Sequence, residues 1–114
     1  MRWFPLAPLF ALPTVILMAC GGPLADGEAA FKKARYPAAK QAFASLEAEM
    51  RVSDDATRAE YALYRGLTLT ALGDRAHAAQ WLLEAKSLED AQAGTLREDD
   101  ARRLSVAIEA NEIP

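Results

Sequence analysis

Few side chains in this sequence have the type and spacing that chemistry requires. Cys20 is the only cysteine and His77 the only histidine. A single thiol cannot close an internal disulfide, and a lone histidine supplies no Cys/His spacing of the kind that holds zinc. A Ser-His-acid arrangement can be drawn from Ser45 or Ser87 with His77, but nothing in the order of the chain brings them together. Asp99 and Asp100 form an acid pair, yet they stand at the start of a helical pattern, where negative charge suits the positive end of the backbone dipole. His77 falls in a polar stripe with Gln80, Glu84 and Ser87, the pattern of a solvated helix face. No glycine-rich phosphate loop occurs, and a net charge of -3 disfavours a nucleic-acid backbone as partner. These residues point away from an enzyme, and they call for no metal, cofactor or nucleic acid.

The elements that would position any site are helices. From Ala59 to Leu88 the chain reads as two antiparallel helices joined at Gly73-Asp74. Ala62, Gly66, Leu69 and Gly73 fall on one narrow stripe of the first helix, and Ala78, Leu82, Ala85 and Leu88 make the matching stripe of the second. Small residues on both stripes let the two axes approach closely. Tyr61, Leu63, Tyr64, Leu67 and Leu72 surround the first helix, so it expects neighbours on more than one side.

This stretch resembles a tetratricopeptide repeat. The residues that carry the likeness are Gly66 in mid-helix, the Gly73-Asp74 turn, and then Ala78, Leu82 and Ala85. Two positions depart from the family pattern: Ala62 and Arg65 replace early large apolar residues, and Asp90 stands where a closing proline is usual. A generic amphipathic helical hairpin is the alternative.

The first residues, MRWFPLAPLFALPTVILMACGG, resemble a bacterial lipoprotein signal. Arg2 supplies a charged start, Leu6 to Met18 an apolar core, and Leu17-Met18-Ala19-Cys20 a lipobox. The core is short for a membrane span, and Pro5, Pro8 and Pro13 disfavour a spanning helix. The resemblance implies cleavage before Cys20 and acylation there, with two or three chains giving stable anchoring. An ordinary secretory signal cut after Ala19 and an uncleaved anchor are the competing readings. Gly21 after Cys20 implies, by the family rule, sorting to the outer membrane.

The organisation that follows is a signal over residues 1–19, a lipidated tether over 20–25 and a helical domain over 26–111. Within that domain Asp26 is placed to cap a short helix through Ala34, and Tyr36-Pro37 opens the next, with Ala39, Phe43, Leu46 and Met50 as its apolar stripe. An offset of 39 residues lays Gly27 on Gly66, Ala39 on Ala78, Gln41 on Gln80 and Phe43 on Leu82, the mark of an internal repeat. The family period is about 34, and the polar Arg51-to-Thr57 connection is the expected place for the surplus. Thr95-x-x-Glu98 reads as a capping box, opening a last helix whose Ala101, Leu104 and Ile108 would close the array. The fold class expected is all-α: five helices, arranged as about two repeat hairpins plus a C-terminal capping helix.

The repeat resemblance implies a partner-binding concave face lined by the first helix of each hairpin. Glu60, Leu63, Leu67 and Thr70 occupy it in the central hairpin, with Glu28 and Lys32 in the first and Phe31 at its edge. Leu63 and Leu67 read equally well as core. The first hairpin is expected to leave apolar surface near Phe31, Tyr36 and Phe43 incompletely covered. The function expected is a protein-protein interaction adaptor held by lipid on the periplasmic face of an envelope membrane, as a monomer or weak dimer, with an envelope protein or peptide as partner. The alternative is an accessory or inhibitor of a periplasmic cell-wall enzyme, or a small structural lipoprotein.

Overall fold

The computed structural model describes residues 22–114; Cys20, the lipobox and the rest of the N-terminal signal lie outside the described residues. Within them every regular element is a helix. In chain order these are α1 (Ala25–Lys32), α2 (Tyr36–Ala44), α3 (Glu47–Arg51), α4 (Asp55–Ala71), α5 (Arg75–Ala91) and α6 (Glu98–Ala110). None is long and apolar enough to cross a membrane.

The two long helices form where the pattern places them. Asp54 and Asp74 open α4 and α5, each carboxylate accepting a backbone N–H three residues on, from Thr57 at 2.8 Å and from His77 at 3.3 Å. Between them Gly73 takes a left-handed φ of +85°, while its N–H donates to the Thr70 carbonyl and that of Asp74 to Leu69. The helices then meet along the expected stripe. A Cβ at Gly66 would lie 2.7 Å from Leu82 Cγ and 3.3 Å from the Ala78 carbonyl oxygen. Ala62, Ala78, Leu82 and Ala85 are fully buried there. The pair α1/α2 repeats this approach, with the Phe43 ring 2.5 Å from where a Gly27 Cβ would stand.

The turn geometry recurs three times. Ala34, Gly73 and Glu112 are the left-handed residues of this turn, with φ of 60°, 85° and 54°. Each follows a helix ending two residues earlier, at Lys32, Ala71 and Ala110. The paired backbone bonds also recur: Ala34 to Phe31, Gly73 to Thr70 and Glu112 to Glu109, then Arg35 to Ala30, Asp74 to Leu69 and Ile113 to Ile108. Every member of these sets is 39 residues from the next (34, 73, 112). Packing follows the same order. α4 lies on both α2 and α5, and α6 leans on α5 and α4 with Leu104 and Ala107 buried.

Five local expectations are corrected. Among the described residues there are six helices where five were expected, because the helix after Tyr36 breaks at Ser45-Leu46. The Ser45 hydroxyl donates to the Ala42 carbonyl at 2.8 Å, and the Phe43 carbonyl accepts the Tyr61 hydroxyl at 2.6 Å. Side chains thus take carbonyls that a continuous helix uses. The surplus residues are not spent in a long polar connection, since only Val52, Ser53 and Asp54 separate α3 from α4. Asp26 does not cap α1, which opens at Ala25 after the buried Leu24 with no side-chain cap. Nor does Thr95 cap α6. The Glu89 carboxylate accepts the N–H groups of Gly94 and Leu96, at 2.9 and 2.8 Å, and Thr95 turns back to the Gln92 carbonyl at 2.6 Å. Phe43, expected near an uncovered patch, is fully buried between Gly27 and Tyr61.

Candidate functional site

A groove of about 690 Å³ runs between α1, α4 and α6. Its α4 side is Leu67 and Thr70, its α1 edge is Phe31, and α6 supplies Asp99, Arg102, Arg103, Val106, Ala107 and Ala110. Three of the sequence-derived site residues therefore share one surface. Phe31 is half-buried and fixed by two aromatic neighbours, its centroid 5.6 Å from Tyr36 and 5.6 Å from Tyr64. Leu67 is partly buried on the core below it. The Thr70 hydroxyl donates to the Gly66 carbonyl at 2.9 Å and accepts from Asn111 Nδ2 at 3.2 Å, so it ties α4 to the end of α6. Val106, at 64% exposed, offers the largest open apolar surface of α6.

The other two stand apart from that surface. Leu63 is 0% exposed and packs wholly inside the core. Glu60 is half-buried at the other end of the face, beside Glu28. Cys20 lies outside the described residues. His77 is exposed, with Nδ1 2.9 Å from Asp74 Oδ2, on the solvated side of α5.

Buried polar groups hold α6 against α4. Asp100, only 1% exposed, accepts the Tyr64 hydroxyl at 2.9 Å and Arg103 at 2.9 Å. Burial and the Asp100 carboxylate together push the Tyr64 hydroxyl well above the ordinary tyrosine range. One turn away, Glu28 Oε2 is buried and no donor reaches it. Its neighbour is the Glu60 carboxyl, which can bond it only by sharing a proton. Burial first, then that shared bond and the repulsion from Glu60, push Glu28 up to about 8 against the opposing pull of Lys32. The rim charges Asp99, Arg102 and Arg103 pair locally, Arg102 with Asp99 at 3.4 Å, so the groove itself is an apolar trough with a mixed-charge edge.

A second, smaller cavity of about 180 Å³ lies on the opposite side, where Met50, Tyr61 and Trp81 meet the charged side chains Glu47, Arg58 and Glu84. Its chemistry is largely self-satisfied. Arg65 stacks 4.4 Å over the Trp81 ring and pairs with Glu47 at 2.9 Å, and Arg58 reaches Glu84 at 3.4 Å.

Comparison with protein-family models, with curated proteins and with solved structures finds no match. The functional reading therefore rests on the residues themselves.

Sequence reasoning overlooked the α6 wall of the groove. Asp99 reads locally as helix-end electrostatics, and Arg102 and Val106 carry no local signal of a site. The signal was present: carrying the 39-residue offset one step further lays Glu60 on Asp99, Leu63 on Arg102 and Leu67 on Val106, and all three of the latter line the groove.

Proposed function

We propose that the protein is a lipid-anchored periplasmic adaptor of the cell envelope, built from helical repeats of tetratricopeptide type, which holds a partner segment in the groove between α1, α4 and α6. The observation that carries this reading is the apolar trough formed by Phe31, Leu67 and Val106 at the edges of α1, α4 and α6. Contiguous exposed apolar surface of this kind marks interaction sites, and amphipathic or extended segments bind in such troughs through apolar anchors. The pairing of α1 with α2 and of α4 with α5, with a repeated left-handed turn, supports the repeat assignment. The lipobox resemblance and the single thiol at Cys20 support the anchor, and the outer membrane is its proposed place.

The test has two arms. Mass spectrometry of Cys20→Ser against wild type reads the anchor: loss of the acyl mass and of membrane partitioning is expected, and a variant still processed and fully membrane-bound overturns it. A photo-crosslinking residue placed at Val106 or Leu67, against one at Gln80, reads the groove. A discrete stoichiometric adduct from the first two sites alone is expected, and an adduct from Gln80 alone overturns the groove.

A further inference from the structure

The face of α6 turned away from that groove is unfinished. In α4 the stripe Ala62, Gly66 and Leu69 is buried, because α5 covers it with Ala78, Leu82 and Ala85. In α1 the corresponding Gly27 is buried under Phe43 of α2. The 39-residue offset lays the α4 stripe on Ala101, Ser105 and Ile108. There Ser105 is exposed and Ala101 and Ile108 are half-exposed, and all three line an open groove of about 510 Å³ between α5 and α6. α6 ends in the same left-handed turn as α1 and α4, at Glu112. α1 has α2 and α4 has α5; among the described residues α6 has no such helix of its own.

We propose that α6 is the first helix of a third unit, and that its open face receives an amphipathic helix supplied by a partner protein. The repeated geometry fixes the chemistry of that helix. It runs antiparallel to α6 and carries a small residue followed four positions later by a bulky apolar one, as Ala39/Phe43 and Ala78/Leu82 do. Its edges are basic. The groove is rimmed by Glu89, Asp90 and Glu109 against the single cation Lys86; Lys86 is paired with Asp90, and Glu109 has no ion-pair partner among the described residues. A second copy of the chain is not the occupant, because its two helices of this chemistry, α2 and α5, are already buried on α1 and α4 of their own copy. The face adjoins the groove between α1, α4 and α6, sharing with it only Val106 at the rim, and the inference stands without that one.

The test uses the purified full chain in detergent and a synthetic peptide with the sequence Arg75–Ala91, carrying Glu89→Lys and Asp90→Lys to make its edge basic. Fluorescence anisotropy is expected to show saturable binding. Leu82→Glu in the peptide, or Ser105→Arg in the chain, is expected to weaken it about tenfold or more, while Gln80→Arg in the chain leaves it unchanged. Glu109→Lys is expected to weaken the basic peptide and to favour the unmodified acidic one. Circular dichroism checks that each variant is folded. Equal binding to Ser105→Arg, which would mean the peptide enters elsewhere, overturns the proposal. So does absence of binding to the folded chain at about millimolar peptide. Self-association of the chain that Ser105→Arg abolishes would make a second copy the occupant and overturn it equally.

Discussion

Glu28 and Glu60 set the clearest residue-scale consequence. Two carboxyls share a site in which Glu28 Oε2 has no donor, so the folded chain retains a proton that the unfolded chain has released. The folded value of about 8 lies above the ordinary 4.5. The associated stability is therefore fully present below about 4.5 and is lost as pH rises to about 8, levelling off above it. Urea unfolding midpoints across this range are expected to fall for wild type and to stay flatter in Glu28→Gln, whose amide supplies the missing donor. A parallel slope in both proteins would show that Glu28 is not the titrating group. Tyr61 makes the opposite case, a polar group fully engaged. It donates to the Phe43 carbonyl at 2.6 Å and accepts from Arg65 at 2.7 Å. Tyr61→Phe removes one of two donors to that carbonyl, the Leu46 N–H remaining at 3.0 Å, and is expected to cost about 0.5–1.5 kcal/mol in chemical denaturation. Neither arrangement was legible in the sequence, because each joins residues of different helices and depends on where those helices lie.

At the scale of helices, the close approach of α4 and α5 decides what Gly66 tolerates. Alanine in mid-helix ordinarily gains about 1 kcal/mol over glycine. Here its Cβ would stand 2.7 Å from Leu82 Cγ, too near the branch point of that side chain to be absorbed by rotation of its end. Gly66→Ala is thus expected to be destabilising rather than mild, and Gly66→Leu more so, within about 1–3 kcal/mol for overpacking. Leu82→Ala leaves a cavity on its own, but in the Gly66→Ala background it also removes the clash. The two substitutions will then be less than additive in thermal melts, and strict additivity would place the contact elsewhere. The stripe that brings these residues together was readable, since Ala62, Gly66, Ala78 and Leu82 follow the helical period and need no knowledge of the rest of the fold. The aspartates opening α4 and α5 were similarly local. The break at Ser45 was only partly legible: the Ser45 hydroxyl on the Ala42 carbonyl is local, but the second contribution is a hydroxyl from Tyr61, 18 residues away. The cap of the α5–α6 connection comes from Glu89, five and seven residues before the groups it binds, and so it outcompeted the local Thr95-Glu98 signature.

For the whole molecule, the partner groove was half visible. Phe31, Leu67 and Thr70 were found from two units, while Asp99, Arg102 and Val106 required recognising that the period continues through α6. Leu63 shows why position on a face is not access to it, as it points inward at 0% exposed. Val106→Glu changes only an exposed side chain, and it is expected to leave the melting temperature within about 2 °C of wild type. A large drop would mean that Val106 is structural rather than part of an open site. The regular return of the turn at Ala34, Gly73 and Glu112 has one more consequence, which concerns engineering. Each helical hairpin touches only the hairpin or helix next to it, so the chain behaves as a row in which a unit's surroundings scarcely depend on the row's length. Splicing a second copy of residues 36–74 between Asp74 and Arg75 would enter and leave at equivalent points of the turn, and the duplicated segment would meet helices of the kind it already meets. The lengthened protein should fold with one further helical unit and a correspondingly longer trough, making this chain a ruler that can be extended by whole graduations.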